Sequence, residues 1–225
     1  MDKIIIATIH PWNIKNARWL KAHRRGVVLV TDPKRLTPDF VRKHQPRYIF
    51  FPHWSWYISP EIFRSYECVV FHMTDLPYGR GGSPLQNLIV RGQYWTKISA
   101  IKVVEGIDAG PVYRKAMLRL SGTAEDILVR ASEIVFKKMI PDILKGGVSP
   151  KPQQGKVVVF KRRKPQQGAI GNLKSEKKVY DHIRMLDAPG YPRAFLAFKH
   201  IVVNFSKARL AGKKVIAEAE IICRR

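Results

Sequence analysis

Short runs of β-branched and aliphatic residues recur through the first half of the chain, separated by segments of helical periodicity. Residues 4–8, 27–31, 48–52, 68–72 and 99–104 are apolar at nearly every position rather than every second one, as strands buried on both faces of a parallel sheet must be. Between them, residues 13–23, 37–44 and 83–91 carry apolar side chains at helical spacing. Ser83-Pro84 suits a helix start, with a hydroxyl to cap it and Pro in the first helical position. A longer helix opens at Thr123-Ala-Glu-Asp, with acidic residues in its first turn, and runs to about Leu144, where Gly146-Gly147 stop it. The alternation predicts an α/β fold class: a Rossmann-like open, mostly parallel sheet with helices on both faces, plus a short C-terminal β extension.

That pattern fills residues 1–147. Residues 148–179 are rich in Lys, Gln, Gly and Pro around one short strand at 157–160 and read as a basic linker. Residues 180–225 read as a short helix at 180–186 and a β-hairpin, strands 194–204 and 215–222, about a Gly212-Lys213 turn. The net charge of +24 is skewed toward this end: residues 151–225 hold 18 of the 41 Lys/Arg but 5 of the 17 Asp/Glu. Such an excess attracts polyanions, nucleic acid and nucleotide diphosphates among them.

Other classes are disfavoured. No apolar run approaches the ~18 residues of a membrane span. The N-terminal apolar run is only a few residues long and lacks a small-residue cleavage site, so a signal peptide is not expected. Cys68 and Cys223 are isolated, without metal spacing; a reduced, cytoplasmic protein with no metal is the expectation. The turn after the first strand, Ile9-His10-Pro11-Trp12, has no glycine fingerprint and argues against a bound dinucleotide.

The chemistry concentrates in two segments. In Val69-Val-Phe-His-Met-Thr-Asp-Leu-Pro-Tyr-Gly-Arg-Gly-Gly-Ser-Pro, a strand delivers His72 to its carboxyl end, where ligands bind in open α/β sheets. Gly79, Gly81 and Gly82 let backbone come close to a ligand, and the helix start at Ser83 turns free N–H groups toward the same crevice. Downstream, Glu105-Gly-Ile-Asp-Ala-Gly110 sets Asp108 in a second glycine-bounded loop just past another strand. Two such loops on parallel strands face one crevice, so His72 and Asp108 are expected to meet.

Taken together, His72-Met-Thr-Asp-Leu-Pro77, Gly79-Arg-Gly-Gly-Ser-Pro84 and Asp108 in its Glu-Gly-x-Asp-x-Gly setting resemble the folate-dependent formyltransferase family. Phe160-Lys-Arg-Arg-Lys-Pro-Gln-Gln is similar to the basic segment that follows the catalytic domain there, and His182-Ile-Arg-Met-Leu to the helix after it; the resemblance covers roughly residues 45–195. It implies transfer of a formyl group from 10-formyltetrahydrofolate, the formyl-donating co-substrate, to an amine. His72 would then sit beside the formyl group as acid/base and oxyanion partner, and Asp108 would hold and polarise it. The resemblance sets the folate against Trp54, Trp56, Tyr57, Ile58, Leu76 and Gly82, with the backbone around Val104, Gly106 and Ile107 bonding the pterin. The acceptor would meet His10, Trp12, Asn13, Thr74 and Arg80.

One position departs from the family. An Asn two residues before the His ordinarily supplies an amide to the oxyanion, and here that residue is Val70. Strand alternation puts 70 and 72 on one side, and losing an oxyanion donor typically costs ~10²–10³ in rate. Thr74, Asn87 or a loop N–H are the candidate substitutes. For the acceptor, the segment after the linker is too short for a closed nucleic-acid-binding barrel. The expectation is therefore a small-molecule amine, a nucleotide-linked amino sugar, with the C-terminal extension available for homodimerisation. Two alternatives stand beside it. One is methionyl-tRNA as acceptor, which would account for the basic residues at 161–164 and 174–178. The other is a catalytically silent nucleic-acid-binding homologue.

Overall fold

The structure, a computed structural model, describes residues 2–223. Strands β1 (Ile4–Ala7), β2 (Val27–Val30), β3 (Tyr48–Pro52) and β4 (Glu67–His72) alternate with helices α1 (Pro11–His23), α2 (Pro38–His44) and α3 (Pro60–Ser65). There follow β5 (Tyr78–Gly81), α4 (Pro84–Ile89), β6 (Trp95–Lys102), β7 (Val112–Arg119), α5 (Ala124–Ile134) and α6 (Ile140–Leu144). The chain ends with β8 (Val158–Phe160), α7 (Glu176–Arg184), β9 (Ala194–Ala197), β10 (Ile201–Ala211) and β11 (Lys214–Cys223). Two compact units form, and they cut across chain order. The first takes the chain up to Gly81, Thr96–Leu118 and Leu128–Val159; the second takes Gly82–Trp95, Arg119–Ile127 and the chain from Phe160 onward.

In the first unit a six-stranded sheet runs β2-β1-β3-β4-β6-β7. β1 pairs in parallel with β2 and β3, and β3 in parallel with β4. The run Ile4-Ile-Ile-Ala7 is buried at every position because β1 lies inside the sheet, with neighbours on both edges. Alternate residues Ile5, Ala7, Ile49, Phe51 and Cys68 form one apolar cluster with Val41 of α2 and Ile62 of α3. Fully burying each large side chain of this kind contributes roughly 1.5–3 kcal/mol. Between α5 and α6, residues Val135–Met139 form a π-helical turn. Pro141 explains it: the ring lacks an N–H and crowds the carbonyl four residues back, and the helix widens by one residue rather than breaking.

One expectation about this sheet is corrected. β6 is antiparallel to β4, with His72 opposite Ser99 and Val69 opposite Lys102. It also begins and ends earlier than residues 99–104. An apolar run buried on both faces reads the same in either direction; only pairing decides which way it points.

In the second unit, α7 packs on β10 and β11 of a three-stranded antiparallel sheet ordered β11-β10-β9. The expected strand 194–204 is therefore two strands, broken at residues 198–200, and the hairpin gains a third member. The helix expected at 180–186 starts four residues earlier, where Ser175 accepts from Lys178 N at 3.3 Å as its cap. Ser83 does not cap α4. Its backbone is left-handed (φ 50°), and its Oγ instead accepts from Arg163 N at 3.1 Å. Among the described residues no helix is long and apolar enough to cross a membrane.

Candidate active site

Sheet order 2-1-3 means that the chain leaves β1 to one side and returns to its other side. That reversal opens a crevice at the carboxyl ends of β1 and β3. The loops there carry aromatic rings: His10 stacks on Trp12 (centroids 4.8 Å) and on His53 (3.9 Å), and Trp54 lies 5.0 Å from Trp56. His72 ends β4, the next strand along, so one sheet edge presents all of them.

His72 and Asp108 do meet. His72 Nδ1 lies 3.3 Å from Asp108 Oδ2, and both side chains are largely buried. Asp108 arrives there from the hairpin loop between β6 and β7, not from a parallel neighbour, and its backbone is left-handed (φ 51°). Asp is one of the few side chains that tolerate this conformation. Gly110 lets the loop close: a Cβ there would stand 1.7 Å from the Lys102 carbonyl oxygen. The same carboxylate oxygen, Asp108 Oδ2, accepts from Gly81 N at 2.9 Å. On the other side of the imidazole, Nε2 lies 2.7 Å from the Gly79 carbonyl. A carbonyl only accepts, so Nε2 is the donor and Nδ1 is the nitrogen turned to the carboxylate. The glycines of β5 thus contribute a carbonyl and an amide that orient the pair.

The other expected residues separate into surface and interior. Trp56, Tyr57 and Ile107 are exposed apolar surface, and Trp54 is half-buried. The indole Nε1 of Trp54 is itself buried, with no acceptor among the described residues. The exposed rings of Trp56 and Tyr57 offer flat apolar surface at this end of the sheet. Val104 and Gly106 stand partly or fully exposed in the Asp108 loop, while Ile58 and Leu76 are core residues whose side chains are filled by packing. Gly82 belongs to the second unit: its amide donates to Phe160 O, and a Cβ there would stand 2.6 Å from that of Arg162.

Of the acceptor-side residues, His10 is half-buried and Trp12 is buried. Asn13 is interior and structural, its amide donating to Thr8 Oγ1 and Pro52 O at 3.1 Å each. Thr74 is fully buried and donates to Gly79 O at 3.3 Å. Arg80 directs Nε and Nη2 to Gln153 Oε1.

Val70 packs against the apolar cluster of Ile5, Phe51 and Cys68 and carries no donor. The expected substitutes are already engaged. Thr74 serves Gly79 O, the Gly81 amide serves Asp108, and Asn87 Nδ2 donates toward the carbonyls of Gly82, Ser83 and Lys161 at 3.0 Å each. His72 is engaged as well, through Nε2 to Gly79 O and Nδ1 to Asp108. Burial lowers the pKa of His10, and drives that of His53 down to about 3, with the His10 charge adding to it. Both rings are therefore uncharged at neutral pH. Sequence reasoning missed Gln153, which lies in the segment read as linker; only its polar type, amid Pro and Gly, was visible there.

Residues 165–222 match the family model for the methionyl-tRNA formyltransferase C-terminal domain. Methionyl-tRNA formyltransferase from Bacillus pumilus is 28% identical over 158 residues, 68% of this chain and 49% of that protein. The chain spans about half the length of the curated relatives it matches. The solved structure of methionyl-tRNA formyltransferase from Clostridium thermocellum is 51% identical, with TM-score 0.98 and 100% of both chains covered. HypX from Aquifex aeolicus, solved with tetrahydrofolic acid, shares the fold at TM-score 0.75 and 15% identity, over 92% of this chain and 38% of that one. The fold and the His–Asp pair thus define a class, the open α/β sheet of the formyltransferases. Identity over the whole of both chains then decides the family: the chain belongs to the formyltransferases, with methionyl-tRNA formyltransferase among its relatives.

Proposed function

We propose that the protein transfers a formyl group from 10-formyltetrahydrofolate to the amino group of methionyl-tRNA. The observation that carries formyl transfer is the buried His72–Asp108 pair, held by Gly79 O and Gly81 N beside an aromatic wall. In the reaction the acceptor nitrogen displaces the folate nitrogen at the formyl carbon; one proton leaves the amine and one reaches the leaving nitrogen. His72, its Nε2 exchanging the Gly79 carbonyl for the developing oxyanion, donates to it and moves the proton, and Asp108 orients the ring and balances its charge. Trp54, Trp56 and Tyr57 hold the pterin.

For the acceptor, 51% identity with a methionyl-tRNA formyltransferase supports tRNA, in place of the amino sugar that the short C-terminal segment suggested. The match of residues 165–222 to a methionyl-tRNA formyltransferase C-terminal model supports the same acceptor, short as the segment is. The test is to supply 10-formyltetrahydrofolate with methionyl-tRNA, uncharged tRNA, or nucleotide-linked amino sugars, and to follow folate product. Turnover with methionyl-tRNA alone, reduced at least ~10²-fold in His72→Ala and Asp108→Ala, is expected. Turnover only with a sugar restores the amino-sugar acceptor, and no turnover with any acceptor leaves a silent fold.

A further inference from the structure

We infer that Gln153 is a positioning residue that locks Asp108 against His72. Its side-chain amide is bonded at both ends, to partners that all lie within the first unit. Nε2 donates to Asp108 O and Gly110 O at 2.8 Å each, and Oε1 accepts from Arg80 Nε at 3.1 Å and Nη2 at 2.8 Å. The orientation of the amide is fixed by chemistry: a guanidinium only donates and carbonyls only accept, so the two ends cannot be exchanged.

These bonds fall on both halves of the site. Asp108 and Gly110 belong to the loop that delivers the carboxylate, in a left-handed conformation that needs support. Arg80 lies between Gly79, whose carbonyl accepts from His72, and Gly81, whose amide donates to the Asp108 carboxylate. Gln153 therefore cross-links β5, which orients the imidazole, to the loop that carries its acid partner. It reaches them from outside both, anchored by the ladder that pairs Lys151 with Val112 in both directions (2.7 and 2.9 Å). The residue type follows from the task. Glu has no hydrogen for two carbonyls and would set a carboxylate beside Asp108, and Asn is one methylene shorter.

The inference rests on the formyl-transfer reading only for its effect on rate, so the experiment has two arms. The first measures amide hydrogen exchange of Gly81 by NMR, because that N–H reports whether Asp108 Oδ2 is in place. In Gln153→Ala, Gly81 exchange is expected to accelerate by about tenfold, the scale of one broken hydrogen bond, while amides of β1 and β3 keep wild-type protection. Gln153→Glu should behave like the alanine variant despite keeping its size and its Arg80 partner. Unchanged Gly81 exchange in both variants, a Glu variant equal to wild type, or loss of protection across β1 and β3 as well would each overturn the assignment. The second arm measures formyl transfer. Misplacing a catalytic group by an ångström can cost ~10² in rate, so kcat is expected to fall by about that factor while KM for the folate stays within about twofold. A wild-type protein inactive with every acceptor sinks the formyl-transfer reading alone, and the exchange arm still decides Gln153.

Discussion

His53 sits at the switch point in a left-handed backbone conformation (φ 51°), stacked on His10. Part of its surface reaches solvent, yet Nδ1 is sealed, and burial governs its titration, which falls to about 3. The unfolded chain titrates near pH ~6.5, so between that value and 3 the unfolded state binds the extra proton. Stability therefore rises with pH across the window and is lost on acidification, by up to about 1.4 kcal/mol per pH unit for this group. Burial of His10 acts in the same direction. His53→Asn, chosen because Asn accepts a left-handed backbone, should flatten the fall in urea-unfolding free energy between pH 6.5 and 4.5, above the range where carboxylates dominate. A slope identical to wild type would mean that His53 is protonated as readily folded as unfolded. At this scale His72 and Asp108 were legible, because their spacing lies inside two motifs. The engagement of Thr74, Asn87 and Asn13 was not, since side chains of one type serve equally well for binding or for structure.

Helix α7 shows local and tertiary contributions in one element. Ser175 supplies its cap, a local interaction whose removal in Ser175→Ala should cost about 1 kcal/mol. Arg184, near its other end, is buried and donates to Asp181 Oδ1 (2.7 Å), Leu120 O (2.7 Å) and Gly122 O (2.9 Å). Arg184→Ala strands those carbonyls and leaves Asp181 with Lys177 as its ion-pair partner, and should cost about 2–3 kcal/mol. Thermal or urea unfolding of both variants checks the ordering; equal losses would mean that the helix depends on its cap as much as on its docking. The cap was hidden in the sequence by the run Lys174-Ser-Glu-Lys-Lys, which reads as a solvated charge cluster. The carbonyl partners of Arg184 were hidden because they lie some sixty residues away.

For the molecule as a whole, the charge of +24 bears on the partner. Lys161, Arg162 and Lys164 are exposed or half-exposed along the start of the segment that joins the second unit. With tRNA as the proposed acceptor, these side chains would displace counterions from phosphates. Affinity for methionyl-tRNA should then fall linearly with salt on a logarithmic plot. The double variant Lys161→Glu, Arg162→Glu should lower the slope by about 0.7–0.9 for each phosphate that is no longer neutralised. Filter binding across a salt series measures it, and an unchanged slope would mean that other cations meet the phosphates. Formyl transfer by this variant, once saturated, should keep the wild-type kcat, since neither residue touches the His72–Asp108 pair.

The sequence by itself determined the alternating elements, the apolar strands β1 to β4, the long helix to Leu144 and the residues of the His–Asp pair. The first three follow from side-chain pattern within a window of a few turns, where burial and backbone preference act locally; the pair was legible through two motifs that resemble those of the formyltransferases. The tertiary structure alone decided the antiparallel run of β6, the interleaving of two units along one chain, the third C-terminal strand and the reach of Gln153 into the site. Each of these depends on which distant segment satisfies a backbone or side-chain hydrogen bond. An apolar run carries no arrow, and a glutamine between prolines and glycines does not name its partners; pairing with Val69–His72 and with Arg80, Asp108 and Gly110 supplies both.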